Sequence, residues 1–294
     1  MSWRRGKERD VDRHRSHRLR GAGNKIYWIR RFLTLLALKT TAKFFKRDGY
    51  CIPISRHKIV KTGAWVHLTE AATMKFVAEN TSIPVPKVHC AFVHKDRAYI
   101  VMERIRGASL ASTFNKCSGE SREKIFAQLK DMLLELRTLK PPPGTGVHSF
   151  AGGSLYDSRI ARCQPRFGPF KTIQDFHLWL RDGFEPPEDR PKQIEPDEWE
   201  DLKHMVEMQD GPWPEPVFTH GDLNPSNILV QGGKVVSIID WEFAGWYPSY
   251  WEYTAAYQVM YTKTQWQGLI GNFLDPYTEL LRAERTRQRW WGEI

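Results

Sequence analysis

The spacing of apolar residues is helical in one early segment of this 294-residue chain. Residues 24–46 place apolar side chains on one face, which predicts an amphipathic helix within residues 24–47. The apolar positions are Ile26, Ile29, Phe32, Leu33, Leu36 and Phe44. We expect this face to pack against the following domain. The alternative is that the basic face of the same helix contacts a membrane surface.

Short strand patterns follow from residue 50 onwards. Two β-rich runs come first, YCIPIS and KIVKTG, and a helical run follows, TEAATMKFVAEN. A hairpin is then predicted from two strand-like runs, KVHCAFV and AYIVME, which flank the turn HKDR. Residues 48–106 are therefore expected to form a small domain of antiparallel strands and one helix, an N-lobe.

A mainly helical part is predicted after Gly107. Its strongest helical pattern is SREKIFAQLKDMLLELRTL, and PDEWEDLKHMVEM is a further helix. A second hairpin is predicted from NILV-QGGK-VVSIID, with Gly232 and Gly233 in the turn. Residues 107–294 are therefore expected to form a C-lobe, and the chain as a whole an α+β fold of two lobes.

The charge of +10 is concentrated at one end of the chain. Residues 1–47 hold 15 Lys/Arg and 3 acidic residues, a balance of +12, which leaves −2 for the other 247 residues. Residues 1–23 lack apolar periodicity and are predicted to be a disordered basic tail. We expect this tail to be solvated, with targeting or binding to an anionic surface as the alternatives, and nucleic-acid binding is disfavoured.

The apolar runs are too short to cross a membrane. FLTLLAL is seven residues long, whereas a spanning helix needs about 20. The four cysteines, Cys51, Cys90, Cys117 and Cys163, form no CxxC pair, which argues against a zinc site and favours a reducing compartment. The protein is therefore expected to be soluble and cytoplasmic.

Candidate chemistry lies in residues 218–230, FTHGDLNPSNILV. Asp222 and Asn227 are five residues apart, and Asp240 follows 13 residues after Asn227 at the end of a predicted strand. Carboxylate and amide oxygens are hard donors that suit Mg²⁺. The predicted hairpin would return Asp240 to the neighbourhood of Asn227, and Asp222 would be left to act on something beside the metal.

A second pair lies in the predicted N-lobe. Lys61 ends its second strand, and Glu70 follows nine residues later on a helix. A lysine held by a helix glutamate can aim a fixed cation at phosphates, although a solvated lysine is the ordinary alternative. Strand Lys, helix Glu, loop Asp, Asn and a final Asp follow one another in the order found in protein kinases.

The sequence of these segments resembles that of one group of kinase-like enzymes, the aminoglycoside phosphotransferases and choline kinases. Four segments carry the resemblance: TEAATMKFVAENTSIPVPKV, YIVMERIRG, THGDLNPSNILV and IIDWEFAGWYP. It runs from about Tyr50 to the end of the chain and is strongest to the fungal phosphotransferases of the group. The resemblance implies a protein-kinase-like fold, with a catalytic loop at 218–230 and a metal loop at 238–245.

The resemblance also implies an ATP-dependent transfer to a hydroxyl of a small molecule. Asp222 would be the catalytic base, and Asn227 and Asp240 would hold magnesium. Lys61 would contact the α- and β-phosphates with Glu70 as its ion-pair partner.

Backbone groups near Met102, Glu103 and Ile105 would bind the adenine.

One segment departs from the kinase pattern. Kinases have a Gly-rich phosphate loop where this chain has DGYCIPISRHKIVK, in which Gly49 is the only glycine. Ser55 is a candidate substitute donor. Because of this difference, two alternative functions remain. One is a kinase-fold binding or scaffold protein without phosphoryl transfer, and the other is an enzyme whose pocket is adapted to other chemistry.

Other residues near the motif have two interpretations each. His220 is expected to set the loop through backbone bonds, and Glu242 either faces substrate or magnesium or is a surface acid. Three tryptophans either pack in the core or line a pocket, Trp241, Trp246 and Trp251. The sequence does not identify the acceptor of the phosphoryl group. Residues 151–215 carry 14 acidic residues against 8 Lys/Arg, and this negative balance favours a cationic amine or amino alcohol.

Overall fold

The computed structural model describes residues 24–160, 166–258 and 266–292. The predicted basic tail at 1–23 and Cys163 lie outside the described residues. The described chain forms two compact units, one of residues 24–71 with 88–104 and the other of residues 72–87 with 105–292. The predicted lobe boundaries at 48–106 and 107–294 stay predictions.

The first unit is built on a four-stranded antiparallel sheet. Its elements are α1 (Asn24–Lys39), a 3-10 turn (Thr41–Phe44), β1 (Cys51–Pro53), β2 (Lys58–Gly63), the start of α2 (Leu68–Asn80), β3 (Val88–His94) and β4 (Arg97–Glu103). The strand order is β1-β2-β4-β3. The β3–β4 hairpin predicted from the sequence is confirmed, and its turn residues Lys95 and Asp96 have φ of +50° and +56°.

One side of α1 packs against this sheet. Leu35 and Leu38 contact a buried cluster that includes Ile52, Val60 and Phe92. A helix forms within the range predicted at 24–47 and ends at Lys39, but its predicted packing face is wrong. The apolar side chains that were predicted to be buried are exposed in the structure. They are Ile26, Ile29, Phe32, Leu33, Leu36 and Phe44.

The second unit is mainly helical. Its elements are the end of α2, β5 (Ala108–Ser109), α3 (Leu110–Thr113), a 3-10 turn (Phe114–Lys116), α4 (Gly119–Thr138), α5 (Ile173–Leu180), α6 (Pro196–Asp210), β6 (Val217–Thr219), β7 (Ile228–Gln231), β8 (Lys234–Ile238), a 3-10 turn (Trp241–Phe243), β9 (Gly245–Tyr247), α7 (Trp251–Tyr257), a 3-10 turn (Ile270–Asn272) and α8 (Thr278–Trp291). Its short strands form two antiparallel sheets, β5-β7-β8 and β6-β9.

The core of the second unit is aromatic. Phe176 contacts Tyr247 and Trp251 edge-on, with ring centroids 6.0 and 5.1 Å away. Trp241, Trp246 and Trp251 are at most 3% exposed, so the interpretation of these tryptophans as core residues is confirmed.

The predicted α+β class, with a small antiparallel sheet and a mainly helical second part, is also confirmed. Among the described residues, no helix has the length and apolar character that crossing a membrane requires.

Candidate functional site

The loop between β6 and β7 is shaped by a buried carboxylate. Glu252, fully buried near the start of α7, accepts hydrogen bonds from the backbone N–H groups of His220 (2.7 Å) and Gly221 (3.2 Å). Gly221 has φ of +81°, and a Cβ built on it would lie 2.9 Å from the carbonyl oxygen of Phe243. Only glycine suits both the left-handed backbone and this close approach. The loop is therefore fixed at the residue before Asp222.

His220 fixes the same loop through both ring nitrogens. Its Nε2 lies 3.0 Å from the carbonyl oxygen of Ile239, so Nε2 donates, and Nδ1 accepts from the backbone N–H of Asp222 at 3.1 Å. The ring is 1% exposed and meets Trp241 edge-on at 4.5 Å. The predicted role of His220 in setting the loop through backbone bonds is confirmed.

Asp222 and Asn227 contact each other directly. The Asn227 amide nitrogen donates to Oδ2 of Asp222 at 2.8 Å and to its backbone oxygen at 2.9 Å. These two bonds define which way the amide points, because only its nitrogen can donate. The amide oxygen of Asn227 is then directed away from Asp222 and is available to a cation.

The β7–β8 hairpin returns the chain to this loop. Ile228 pairs with Ile238, and Gly232 and Gly233 occupy the turn with φ of +57° and +74°. Beyond the last strand pair, the N–H of Ile239 donates to the carbonyl oxygen of Asn227 at 2.9 Å. Asp240 therefore follows a residue that is bonded to Asn227, as the sequence predicts.

Asp240 has a left-handed backbone and begins the 3-10 turn that contains Glu242. Its φ and ψ are +67° and +59°, a conformation that Asp tolerates better than most residues. Both carboxylates are half-buried, and one oxygen of Asp240 lies within 4.8 Å of one oxygen of Glu242. This spacing lets the two carboxylates share a cation. Carboxylate oxygens, as on Asp240 and Glu242, and amide oxygens, as on Asn227, are the donors that Mg²⁺ prefers, so the residue types present fit that metal.

A buried arginine lies on the other side of Asp222. Arg159 forms a forked pair with Asp157, at 2.8 Å from Nε and 2.5 Å from a terminal nitrogen. It also donates to the carbonyl oxygens of Ala255, at 3.2 Å, and of Gly221. One guanidinium nitrogen is 3.9 Å from Oδ1 of Asp222. Arg159 thus joins three separate segments of the second unit next to the candidate base.

Opposing effects set the protonation of these two groups. Burial raises the pKa of Asp222, while Arg159 and His220 lower it and Asp240 raises it further, with a net upward shift. Burial disfavours the charged form of Arg159, but Asp157 and Asp222 outweigh this effect and raise the pKa of the guanidinium. A carboxylate with a raised pKa is a better proton acceptor than an ordinary one, and it lies beside a permanent cation.

The Lys61–Glu70 pair forms within the first unit. Nζ of Lys61 lies 3.0 Å from one Glu70 carboxylate oxygen and 2.9 Å from the other, and the two residues are 5% and 2% exposed. The solvated alternative for Lys61 is excluded by this burial. Because burying two charges is costly, such a pair adds little net stability. A gain in stability therefore does not explain the pair.

The expected nucleotide residues are divided between the two units. Met102 is buried in β4 between Ile59 and Val88, and Glu103 is exposed at the end of that strand. Ile105 belongs to the second unit and is half-buried. The hydroxyl oxygen of Ser55 accepts from the N–H groups of His57 and Lys58, so it shapes the β1–β2 turn.

Glu252, Asp157 and Arg159 were not predicted from the sequence. A weak signal exists for the last two, since an acid and a base two residues apart in a loop can form a forked pair. Glu252 has no local signal because its partners are backbone groups 31 and 32 residues away.

Most of this chain matches a known family. The model of a family described as a phosphotransferase enzyme family matches residues 68–291, more than half of the chain. A search of curated proteins found no match.

Solved structures of aminoglycoside phosphotransferase APH(4)-Ia are similar in fold. A thermostable variant in ternary complex with AMP-PNP and hygromycin B has a TM-score of 0.56 and 14% identity, covering 83% of this chain and 82% of that chain. The apo form of a thermostable variant has a TM-score of 0.54 and 14% identity, covering 81% and 79%.

Proposed function

Because this chain belongs to the phosphotransferase enzyme family, we propose that it transfers the γ-phosphoryl group of ATP to a hydroxyl of a small molecule. The observation that carries the proposal is the geometry around Asp222. Its carboxylate is held by Asn227 on one side and faces Arg159 at 3.9 Å on the other. The residue before Asp240 is bonded to the backbone of Asn227.

Asp222 acts as the base in this proposal. It orients the acceptor hydroxyl and takes its proton as the oxygen attacks the γ-phosphorus. The new O–P bond forms while the bond between the γ-phosphorus and the β–γ bridging oxygen breaks, and ADP leaves with that electron pair. Catalysis by such a site is mostly positioning and neutralisation of charge.

Asn227 and Asp240 are the proposed magnesium ligands, and the half-buried Glu242 is a candidate third. Magnesium supplies positive charge to the phosphate oxygens when it is bound. The chain's own contribution is orientation: the amide nitrogen of Asn227 is occupied by Asp222, which leaves its oxygen for the metal.

Within the first unit, Lys61 is the proposed ligand of the α- and β-phosphates. Glu70 keeps its ammonium group in one place through contacts of 2.9 and 3.0 Å. Backbone groups near Met102, Glu103 and Ile105 are the proposed adenine contacts. A cytoplasmic location and a fungal type of enzyme stay predictions.

A cationic amine or amino alcohol is the proposed class of acceptor. Apart from the buried Asp157, the acidic side chains of residues 151–215 are exposed or half-buried. Some of them are paired, Glu185 and Asp210 with Arg181 and Asp201 with Arg282, and the net negative charge of the others attracts cations. Amino alcohols should therefore be better acceptors than neutral alcohols of the same size.

The second candidate function is a binding or scaffold protein without phosphoryl transfer. The turn between β1 and β2 contains no glycine, and Ser55 accepts two backbone bonds there. A turn without glycine brings fewer backbone N–H groups to a phosphate. This observation makes weak nucleotide binding the main prediction of the alternative.

ATP consumption with a panel of alcohols and amino alcohols tests the proposal. Asp222→Asn should remove turnover without lowering the melting temperature, while Asp131→Asn, at an exposed position of α4, should leave both unchanged. Near-normal turnover by Asp222→Asn would contradict the role of this residue.

Thermal shift with ATP and magnesium separates the two functions. The wild type should show a metal-dependent rise in melting temperature that Asp240→Asn loses; asparagine is chosen because it tolerates the left-handed backbone. A wild type that shows no shift and consumes no ATP with any acceptor would favour the scaffold.

A further inference from the structure

The outer face of α1 carries a row of large apolar side chains in solvent. We define this outer face as Ile26, Ile29, Phe32, Leu33 and Leu36. Each is between 46% and 65% exposed. At about 100° per residue, the five positions fall within an arc of about 120°, the width of an apolar stripe that normally faces a core.

The orientation of α1 is fixed by its opposite side. Thr34 is 4% exposed, and Leu35 and Leu38 pack against the sheet core. Arg30 donates to the carbonyl oxygen of His89 at 2.7 Å, and Arg31 is 2.8 Å from Nδ1 of His94. Turning the outer face inward would break these contacts, so the stripe is presented outward by the folded unit itself.

Basic residues surround this stripe in the sequence. Residues 24–47 contain seven Lys/Arg and no Asp or Glu. The side chains of Lys39, Lys43, Lys46 and Arg47 are exposed. Phe44, among them, is 85% exposed. Residues 1–23 add eight Lys/Arg against three acidic residues. An apolar stripe with basic neighbours matches the interface of an anionic bilayer, which offers acyl chains below a negative surface.

We propose that α1 and the turn after it dock on an anionic lipid surface, with the outer face inserted among the headgroups and the basic residues on the phosphates. The helix would lie in the plane of the interface, about 5–10 Å deep. The segment precedes residue 68, where the family match begins, and the proposal does not depend on phosphoryl transfer.

Charge makes a second copy of this chain a poorer occupant of the same face. A stable dimer buries about 800 Å² on each partner. Pairing two outer faces over such an area would bring together two segments that each carry seven positive charges and no negative ones. Like charges across an interface oppose association, whereas an anionic bilayer neutralises them.

Flotation of the full chain with lipid vesicles tests the proposal. We expect binding to phosphatidylcholine vesicles that contain about 30 mol% phosphatidylserine, little binding to pure phosphatidylcholine, and release by salt. Leu33→Glu should weaken binding about tenfold or more, because it places a charge in the apolar part of the interface. The double variant Lys43→Glu/Lys46→Glu should weaken binding to the anionic vesicles alone.

Leu134→Glu is the matched control. Leu134 on α4 is 52% exposed and Leu33 is 53% exposed, so the two variants make the same change at equally exposed leucines. The control should bind vesicles as the wild type does. The proposal is overturned if Leu33→Glu and Leu134→Glu bind equally well. It is also overturned if the wild type is a lipid-free dimer that Leu33→Glu converts to a monomer, since a second copy then covers the face.

Discussion

At the scale of single residues, the candidate catalytic loop depends on groups that do not face a substrate. Glu252 is buried, and its oxygens accept from two successive backbone N–H groups, those of His220 and Gly221. A buried carboxylate without donors would be costly, so the loop and the carboxylate stabilise each other.

Glu252→Gln should destabilise the protein. An amide has only one oxygen, and its NH₂ group would face a backbone donor and leave it unpaired. Hydrogen bonds to charged groups contribute about 1.5–3 kcal/mol, so we expect a loss of that size in the free energy of unfolding, measured by urea denaturation. Glu207→Gln, at an exposed position of α6, is the control and should stay within about 0.5 kcal/mol. Equal stabilities of the two variants would contradict this role of Glu252.

Arg159→Lys should slow the proposed reaction while changing ATP binding little. Lysine keeps the charge but not the fork that joins Asp157, Gly221 and Ala255. Because a small displacement of catalytic groups can cost about 100-fold, kcat should fall about 10- to 100-fold with a nearly unchanged KM for ATP. Arg282→Lys, which alters an exposed pair with Asp201, should leave both constants unchanged. A rise in KM alone would remove Arg159 from its positioning role.

The side chains that supply oxygen donors could be predicted from the sequence. The residues that position them, Glu252 and Arg159, could not. Asp222, Asn227 and Asp240 are linked by short, fixed spacings through one hairpin, so local patterns bring them together. Glu252 and Arg159 act through partners that lie far away in the sequence. An acidic or basic residue is more often exposed than buried, so composition gives no sign of their roles.

At the scale of elements, turn chemistry was more informative than apolar spacing. Gly232 and Gly233 predict the β7–β8 hairpin because their left-handed φ values suit a two-residue turn. For α1, apolar spacing predicts a helix but selects the wrong packed face. Leu35 and Leu38 pack on the sheet while the larger stripe is exposed. Periodicity shows that a face is apolar and does not show what covers it.

At the scale of the whole molecule, charge is distributed unevenly along the chain. The balance of +12 within residues 1–47 and −2 in the rest separates the segment around α1 from the part that the family model matches, residues 68–291. The sequence predicts the fold class because most of its motifs and strand patterns belong to that matched part, while β1, β2 and Lys61 precede it. It does not predict the surface of α1, since exposure is a property of the folded chain.

The stability of the whole molecule should fall as the pH is lowered, and one buried histidine is a main cause. His177 is fully buried; its Nδ1 donates to the carbonyl oxygen of Gln209 at 2.8 Å, and its Nε2 accepts from the hydroxyl of Tyr250 at 2.8 Å. Burial lowers the pKa of His177 from 6.5 to about 4, although the Gln209 carbonyl and the charge of Glu284 act in the opposite direction.

The sign of the effect follows from proton binding. Between about pH 6.5 and pH 4 the unfolded chain takes up a proton at this histidine that the folded chain refuses, so acid favours unfolding. The contribution is complete above about pH 6.5 and is lost by about pH 4, with a size of up to about 3 kcal/mol. The free energy of unfolding, measured across this window, should rise with pH. His177→Asn should flatten that slope, and His57→Asn, at an exposed position, should keep it. A slope that His177→Asn leaves unchanged would show that other groups cause the acid sensitivity.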